Sequence, residues 1–321
     1  MSTDTRAGLL IAMLVLLASI WGMAFLSKHF ERAASAVAPI ENLALERLSI
    51  VVIGSGGTFE NPDRRGPALI AGRGGDLALF DAGRGVADGL RRAVVPVRQP
   101  RALFLSSLLP ENVAGLDELW LQGWLDGAEA PLAVYGPAGT REFVAALMAA
   151  HKRGADAQAT AFALAPAGGR IEARELADGA EVSLGALRVK AFALAGGPLP
   201  ALAYRLSDGA KALAFAGASW DAEAVARAGV HADLLVTEGV YQGSLAAAAA
   251  AGADVDRLRA EARLHVALEA VGALATRAGA RGIVLTRLRP PPAFHFQYKR
   301  LVSKTFRGPV RIAEDGETIK L

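Results

Sequence analysis

The feature that most constrains this chain is the repeated handover from a short apolar run to a polar turn and then to a helix-like segment. "RALFLSSLLPENVAGLDELWL" shows it plainly. Ala102–Leu105 reads as a buried strand, Ser106-Ser107 as its turn, and "VAGLDELWL" as a helix over 114–125. In α/β proteins the loop beyond such a strand end is where chemistry is usually held. Similar runs occur in two batches. The first holds "LSIVVIG", "ALIAGRGGDLALFDAG" with its Gly hairpin, strand 102–105 and "PLAVYGP", with helices at "VADGLRRAV" and "GTREFVAALMAAHKRG". The second holds short strand-like pieces, "ATAFALA", "AEVSLGALRVKAFAL", "ALAYRLSD" and "KALAFAG", then helix "DAEAVARAG", strand "ADLLVTEG", a mostly helical stretch from "SLAAAAAAG" to "LATRAG", and strand "RGIVLTRL". "FQYKRLVSKTF" reads as a helix and "GPVRIAEDGETIKL" as a terminal hairpin. Period-2 and 3.6-residue patterns mixed in this way specify an α/β domain. No internal repeat joins the two batches.

Chain length, 321 residues, allows one large domain or two small ones. The net charge of +3 comes from 35 basic and 32 acidic residues interleaved without a basic stripe, which argues against a nucleic-acid partner. There is no cysteine, so disulfides and thiolate ligands are excluded. Residues 8–26, "GLLIAMLVLLASIWGMAFL", carry no charge. At about 1.5 Å per helical residue that run nearly matches a bilayer core of roughly 30 Å. The expectation is an uncleaved, single-pass membrane anchor of undetermined orientation, with a signal peptide ending near "ASA" at 34–36 as the competing reading. The chain then divides into a tail and anchor over 1–32, a stem over 33–47 and a globular domain over 48–321.

From residue 48 onward the order of segments resembles the metallo-β-lactamase superfamily in its ribonuclease Z and arylsulfatase-like branch. The likeness is carried by "VVIGSGGTFENPDRRGPALIAGRGGDLALFDAGRG", "LFLSSLLPENVAGLDELWLQGWLDG", "PLAVYGPAGT", "PLPALAYRL", "LAFAGASWD", "ADLLVTEG" and "LHVALEAVGALATRAGARGIVLTRLRP". It implies a four-layer αβ/βα sandwich in which two mainly antiparallel sheets face each other with helices outside. It also implies hydrolysis by a water shared between two zinc or manganese ions.

The residues at the implied ligand positions do not suit that chemistry. The leading His-x-His-x-Asp-His motif falls on Ser107, Leu109, Glu111 and Asn112, of which Glu111 alone keeps a carboxylate. A later histidine falls near Gly196, the bridging aspartate on Ala218, and the last histidine on Arg287. A methyl group cannot bridge two divalent ions, and a guanidinium adds a permanent positive charge where they would sit. No metal cofactor is therefore expected unless residual hydrolase activity persists with zinc or manganese. Asp81, Glu111, Asn112 and Glu238 could converge as oxygen donors, with Arg287 as a partner for Glu111 or Glu238. His265 matches a histidine that relatives keep beside the site. It is a candidate for leaving-group assistance, or a helix-start histidine held by neighbours. A serine nucleophile among Ser55, Ser106, Ser107 and Ser219 would lack a Gly-x-Ser-x-Gly elbow.

Three functions follow as expectations. The first is a membrane-anchored, metal-free pseudoenzyme whose cleft (Ser107, Glu111, Asn112, Glu238, His265 and Arg287, with Asp81) binds a small anionic ligand or a protein. The second is a hydrolase of phosphate or sulfate esters, ribonuclease Z-like in the widest sense. The third is a structural module of an envelope assembly. Ribonuclease Z enzymes grip tRNA with a long Gly/Pro-rich arm, and no such insertion lies between Pro137 and Pro198. Relatives with this fold often dimerise, which makes a homodimer a further expectation.

Overall fold

The structure is a computed structural model and describes residues 13–27, 40–57, 63–292 and 294–321. The chain divides into two units, residues 1–41 and 42–321. In the first, residues 13–27 form a helix, α1. Fifteen helical residues span roughly 22 Å, short of a hydrocarbon core of about 30 Å. No helix among the described residues is long and apolar enough to cross a membrane, which corrects the expected single-pass anchor and membrane localisation. Residues 8–12, His29 and the "ASA" site lie outside the described residues.

The second unit is built on two seven-stranded sheets. Its first half runs β1 (Leu45–Gly54), β2 (Ala68–Gly74), β3 (Asp76–Phe80), α2 (Val86–Arg92), β4 (Ala102–Phe104), α3 (Pro110–Val113), α4 (Leu116–Leu125), β5 (Leu132–Gly136), α5 (Thr140–Phe162) and β6 (Ile171–Glu175). The second half runs β7 (Glu181–Leu184), β8 (Leu187–Leu194), β9 (Ala201–Ser207), β10 (Ala212–Ala216), α6 (Ala222–Gly229), β11 (Leu234–Val240), α7 (Ser244–Ala250), α8 (Val255–Ala262), α9 (Leu268–Ala278), β12 (Ile283–Arg289), α10 (His295–Val302), β13 (Val310–Ile312) and β14 (Thr318–Lys320). The strand orders are β14-β1-β2-β3-β4-β5-β6 and β13-β12-β11-β10-β9-β8-β7.

Each sheet is half antiparallel and half parallel. Pairing is antiparallel from β14 to β3 and parallel from β3 to β6. In the other sheet it is antiparallel from β7 to β10 and parallel from β10 to β13. The expected "mainly antiparallel" character is thus only half right. The parallel halves arise because helices α2, α4, α5, α6, α9 and α10 carry the chain back between strands, which hairpin turns cannot do.

Alternation of side chains along the strands fills three apolar layers. One lies between the sheets and includes Ile50, Phe80, Phe104, Tyr204, Phe215 and Val236. The outer face of the first sheet meets Leu90, Leu116, Trp120 and Val144 from its helices. The outer face of the second meets Val225, Leu268, Val271 and Val302. This is the αβ/βα sandwich. In the middle layer the rings of Phe80 and Phe215 stand 5.0 Å apart and those of Phe104 and Tyr204 5.5 Å apart. Burial of each such ring stabilises by about 1.5–3 kcal/mol. The Tyr204 hydroxyl donates to the Leu105 carbonyl at 2.6 Å, so its one polar atom is satisfied.

Three local expectations need correction. "ATAFALA" is the end of helix α5 rather than a strand: its alanines favour helix, and the turn is closed only at Ala163, in left-handed conformation at φ 50°. "GPVRIAEDGETIKL" is no hairpin, because β13 and β14 go to opposite sheets. β1 starts at Leu45, three residues inside the expected stem.

Candidate functional site

The strand ends of the parallel halves meet where the two sheets touch. Ser107 bridges to Ala201, and the Leu202 N–H donates to the Ser106 carbonyl at 2.8 Å. Into this junction come Asp81 after β3, Ser106 and Ser107 after β4, Asn112 in α3, Gly217 and Ser219 after β10, Glu238 in β11, and Arg287 and Arg289 in β12.

Arg287 is delivered by a break in register. Thr237 pairs with Leu285 but Gly239 with Leu288, so β12 carries one extra residue there. Bulges of this kind re-aim a side chain. Arg287 takes φ 51°, and its N–H donates to the Ser55 carbonyl at 2.9 Å. Asp81 also has a left-handed backbone, φ 57°. A non-glycine residue in that region costs roughly 1–2 kcal/mol. Both ends of one ion pair are therefore held in costly backbone conformations by their surroundings.

The guanidinium of Arg287 is 1% exposed. It forms a close ion pair with Asp81 and donates to the Gly217 carbonyl and to Asn112 Oδ1, the last at 2.9 Å. It also lies 5.3 Å from the centre of the Phe215 ring. Asp81 accepts from the Ser106 N–H at 2.7 Å and from its hydroxyl at 2.8 Å. Asn112 donates to Ser107 Oγ at 2.7 Å and to Ser106 Oγ at 3.2 Å. Burial pushes the Asp81 carboxyl up, against the pull of Arg287 and Ser106. The Tyr204 hydroxyl is also pushed up, by burial and by the charge of Asp81.

A second arginine, two residues on, organises the rest. Arg289 donates to Glu238 Oε2 at 3.0 Å, to the Arg287 carbonyl at 3.1 Å and to Glu111 Oε1 at 2.7 Å. Its Nε lies 3.3 Å from Glu261 Oε1, off the hydrogen-bonding direction. Glu238 accepts from Ser219 Oγ at 2.7 Å, and that oxygen in turn accepts from the Val266 N–H. His265 Nδ1 approaches Glu238 Oε2 to 2.9 Å, also off the bonding direction. Burial pushes the Glu238 carboxyl up, but His265, Arg289 and Arg287 outweigh it and hold it at about 2. Arg289 is pushed up, since its carboxylate partners outweigh its burial.

The structure brings together Asp81, Ser107, Glu111, Asn112, Glu238, His265 and Arg287. It leaves out Gly196, which is exposed with open space where a Cβ would stand. Ala218 belongs to the outer apolar layer with Val266 and Leu268. Leu109 takes part only through its N–H, which donates to Ser107 Oγ at 3.2 Å. The expected pairing of Arg287 with Glu111 or Glu238 is corrected, because Arg287 takes Asp81 and Arg289 takes both glutamates. Arg289, Gly217 and Glu261 were not anticipated, and Ser219, expected as a candidate nucleophile, instead donates to Glu238. Two arginines in one otherwise apolar strand, "IVLTRLR", are the signal that marks Arg289. No serine hydroxyl is hydrogen-bonded to His265 among the described residues, so a serine–histidine nucleophile is not assembled.

These residues do not fit a pair of divalent ions. A guanidinium fills the space between Asp81, Asn112 and Gly217. Ser107, Leu109 and Ala218 offer a hydroxyl, an alkyl chain and a methyl group, and Glu111 is left as the one carboxylate of the leading motif. One group of three does have a metal-ligand donor set: Glu111, Glu238 and His265 place ligand atoms within 4.8 Å of one another. Arg289 already spans its two glutamates. The expected absence of any metal is therefore not established by this second group.

No protein-family model matches the chain. A ribonuclease Z of Mycobacterium marinum is 26% identical over 275 residues, covering 84% of this chain and 96% of that protein. The metallo-β-lactamase fold protein YhfI from Bacillus subtilis superposes with a TM-score of 0.66 at 20% identity, over 84% of this chain and 98% of YhfI. The short form of human tRNase Z gives 0.62 at 18% identity, over 84% and 98%. With its two-sheet sandwich and this order of motifs, the chain is a metallo-β-lactamase-fold protein related in sequence to the ribonuclease Z branch of that superfamily.

Proposed function

We propose that this chain is a metallo-β-lactamase-fold protein that binds a ligand or protein partner in place of dinuclear metal hydrolysis. The observation that carries the reading is the buried Arg287 guanidinium, bonded to Asp81, Asn112 and the Gly217 carbonyl. A fixed positive charge in the site repels divalent cations, and its ion pair with Asp81 Oδ2 takes up an oxygen that would otherwise face such an ion. The test is metal analysis of the purified chain after incubation with zinc and manganese and exhaustive dialysis, alongside turnover of bis(p-nitrophenyl) phosphate. The expected result is less than two metals per chain and no turnover above buffer. Two tightly held ions per chain would overturn the reading.

A second reading, a hydrolase, is favoured by the 26% identity to a ribonuclease Z and by the convergence of Glu111, Glu238 and His265. Phosphodiester turnover that Glu111→Ala abolishes, with the fold intact by circular dichroism, would select it.

A further inference from the structure

A cavity of about 530 Å³ opens beside the Arg289 cluster, bounded by α7, α8 and the end of β12. Its volume lies within the range of small-molecule sites, roughly 300–1,000 Å³. The alanine-rich α7 sets one wall: Ala247 and Ala248 leave space that larger side chains would fill. Leu258, Ala262, Leu288 and Pro291 extend the apolar lining.

Among the arginines that line it, one has no carboxylate partner among the described residues. Arg287 and Arg289 both reach the cavity, but each is already bonded to carboxylates. Arg64 is half-buried and donates to Ser55 Oγ at 2.7 Å and to the Ala313 carbonyl at 2.8 Å, both neutral oxygens. Among the described residues no carboxylate lies within ion-pair distance of it. Asp315 stands behind Ser55, whose hydroxyl it accepts at 2.7 Å, and is shared with Arg65. Glu261, on the facing wall, sits 3.3 Å from Arg289. A guanidinium at the edge of an apolar cavity attracts an anion more strongly than it would in bulk water.

We infer that this cavity binds an anionic amphiphile, with its head on Arg64 and its apolar body against Ala248, Leu258 and Leu288. The inference rests on the ligand-binding reading above and names the chemistry of the ligand. Carboxylate and phosphate monoester heads share that chemistry, and the experiment separates them.

The full chain is titrated calorimetrically with dodecanoate, dodecyl phosphate and 1-dodecanol, each below its aggregation threshold, near pH 8. One molecule of at least one anion is expected to bind per chain, about tenfold more tightly than the alcohol, as a charge-assisted hydrogen bond predicts. The tighter of the two anions identifies the head group. Ala248→Trp fills the cavity and should weaken the anion by about tenfold or more. Arg64→Gln should bring the anion down to the affinity of the alcohol and leave the alcohol unchanged. Thermal melts check that both variants fold. Three results would overturn the inference: no saturable binding of either anion, undiminished binding by Ala248→Trp, or an equal loss for anion and alcohol in Arg64→Gln. None depends on metal content, so failure here is distinguishable from failure of the metal analysis.

Discussion

Arg287 and Arg289 stand two residues apart on one strand, and their surroundings differ in a way that separates structure from function. Arg287 faces one carboxylate, with its other bonds on neutral oxygens of Asn112 and Gly217. Positive and negative charge cancel there, and the side chains are wholly buried. Arg289 faces Glu111, Glu238 and Glu261, beside His265 and the cavity. Its cluster sets three carboxylates against one guanidinium and one imidazole, more acid than base among the described residues. The first is a closed bolt between the two sheets. The second has charge to spare and a route outward, which is where binding or proton transfer can be supported.

The comparison is broken most directly by removing each guanidinium in turn. Arg287→Ala leaves Asp81 buried and unpaired, so a loss of about 3–5 kcal/mol in unfolding free energy is expected in urea. The double variant Asp81→Leu/Arg287→Met removes both charges and should recover most of it. Arg289→Ala should cost less, about 2 kcal/mol, because His265 remains beside Glu238 and Glu261 has access to water. Equal losses for the two alanine variants would remove the distinction.

Acid titration sharpens the second cluster. Burial raises the Glu238 carboxyl, but His265, Arg289 and Arg287 hold it at about 2, below its ordinary 4.5. A carboxylate lowered by folding contributes stability that is fully present above the unfolded value. That stability declines as the pH falls below about 4.5 and is gone once the pH passes below about 2. Its size is about 3 kcal/mol. Stability measured between pH 6 and 2 should fall steeply in the parent chain, and Glu238→Gln should flatten that limb. An unchanged acid limb in the variant would mean that the charge cluster does not act through Glu238.

Much of this arrangement is legible in the sequence, for identifiable reasons. Strands such as "LFLSS" and "ADLLVTEG" are short, apolar and ended by turn residues, so their place in a two-sheet sandwich follows from pattern and order. Asp81, Glu111, Asn112, Glu238, His265 and Arg287 lie at or beyond such strand ends and do converge. What escapes is set by three-dimensional detail. Partner choice between Arg287 and the acids depends on a one-residue bulge in β12, which no local pattern announces. Arg289 lies outside the motif, and its one mark in the sequence is that it is the second arginine of an otherwise apolar strand. Ala218 turns toward the helices because the chain after β10 leaves the sheet, and Gly196 stays in an exposed turn. The apolar run over 8–26 has the composition of an anchor, but its described helix covers only 13–27, and composition alone does not give helix length. The separation of β13 from β14 is likewise a topological fact: "AEDG" looks like a hairpin turn, yet it carries the chain from one sheet to the other.

The smallest expected effect concerns the packing of the closed bolt. A Cβ on Gly217 would stand 2.5 Å from Asp81 Oδ2 and from Ser106 Oγ, and 2.8 Å from an Arg287 terminal nitrogen. These atoms are the free ends of side chains, but each is pinned by the hydrogen bonds of the same network, so none can withdraw alone. Gly217→Ala should therefore cost about 1–3 kcal/mol, the usual scale of overpacking a tight interior. The double variant Gly217→Ala/Arg287→Ala separates steric from general effects. Once the guanidinium is gone, Asp81 is free to tilt away, and the added methyl should cost clearly less than it does alone. A coupling of at least about 0.5 kcal/mol between the two substitutions is expected for groups in direct contact. Strictly additive losses would mean that Gly217 is a glycine for its backbone alone, and that the Asp81–Arg287 pair tolerates more slack than its burial suggests.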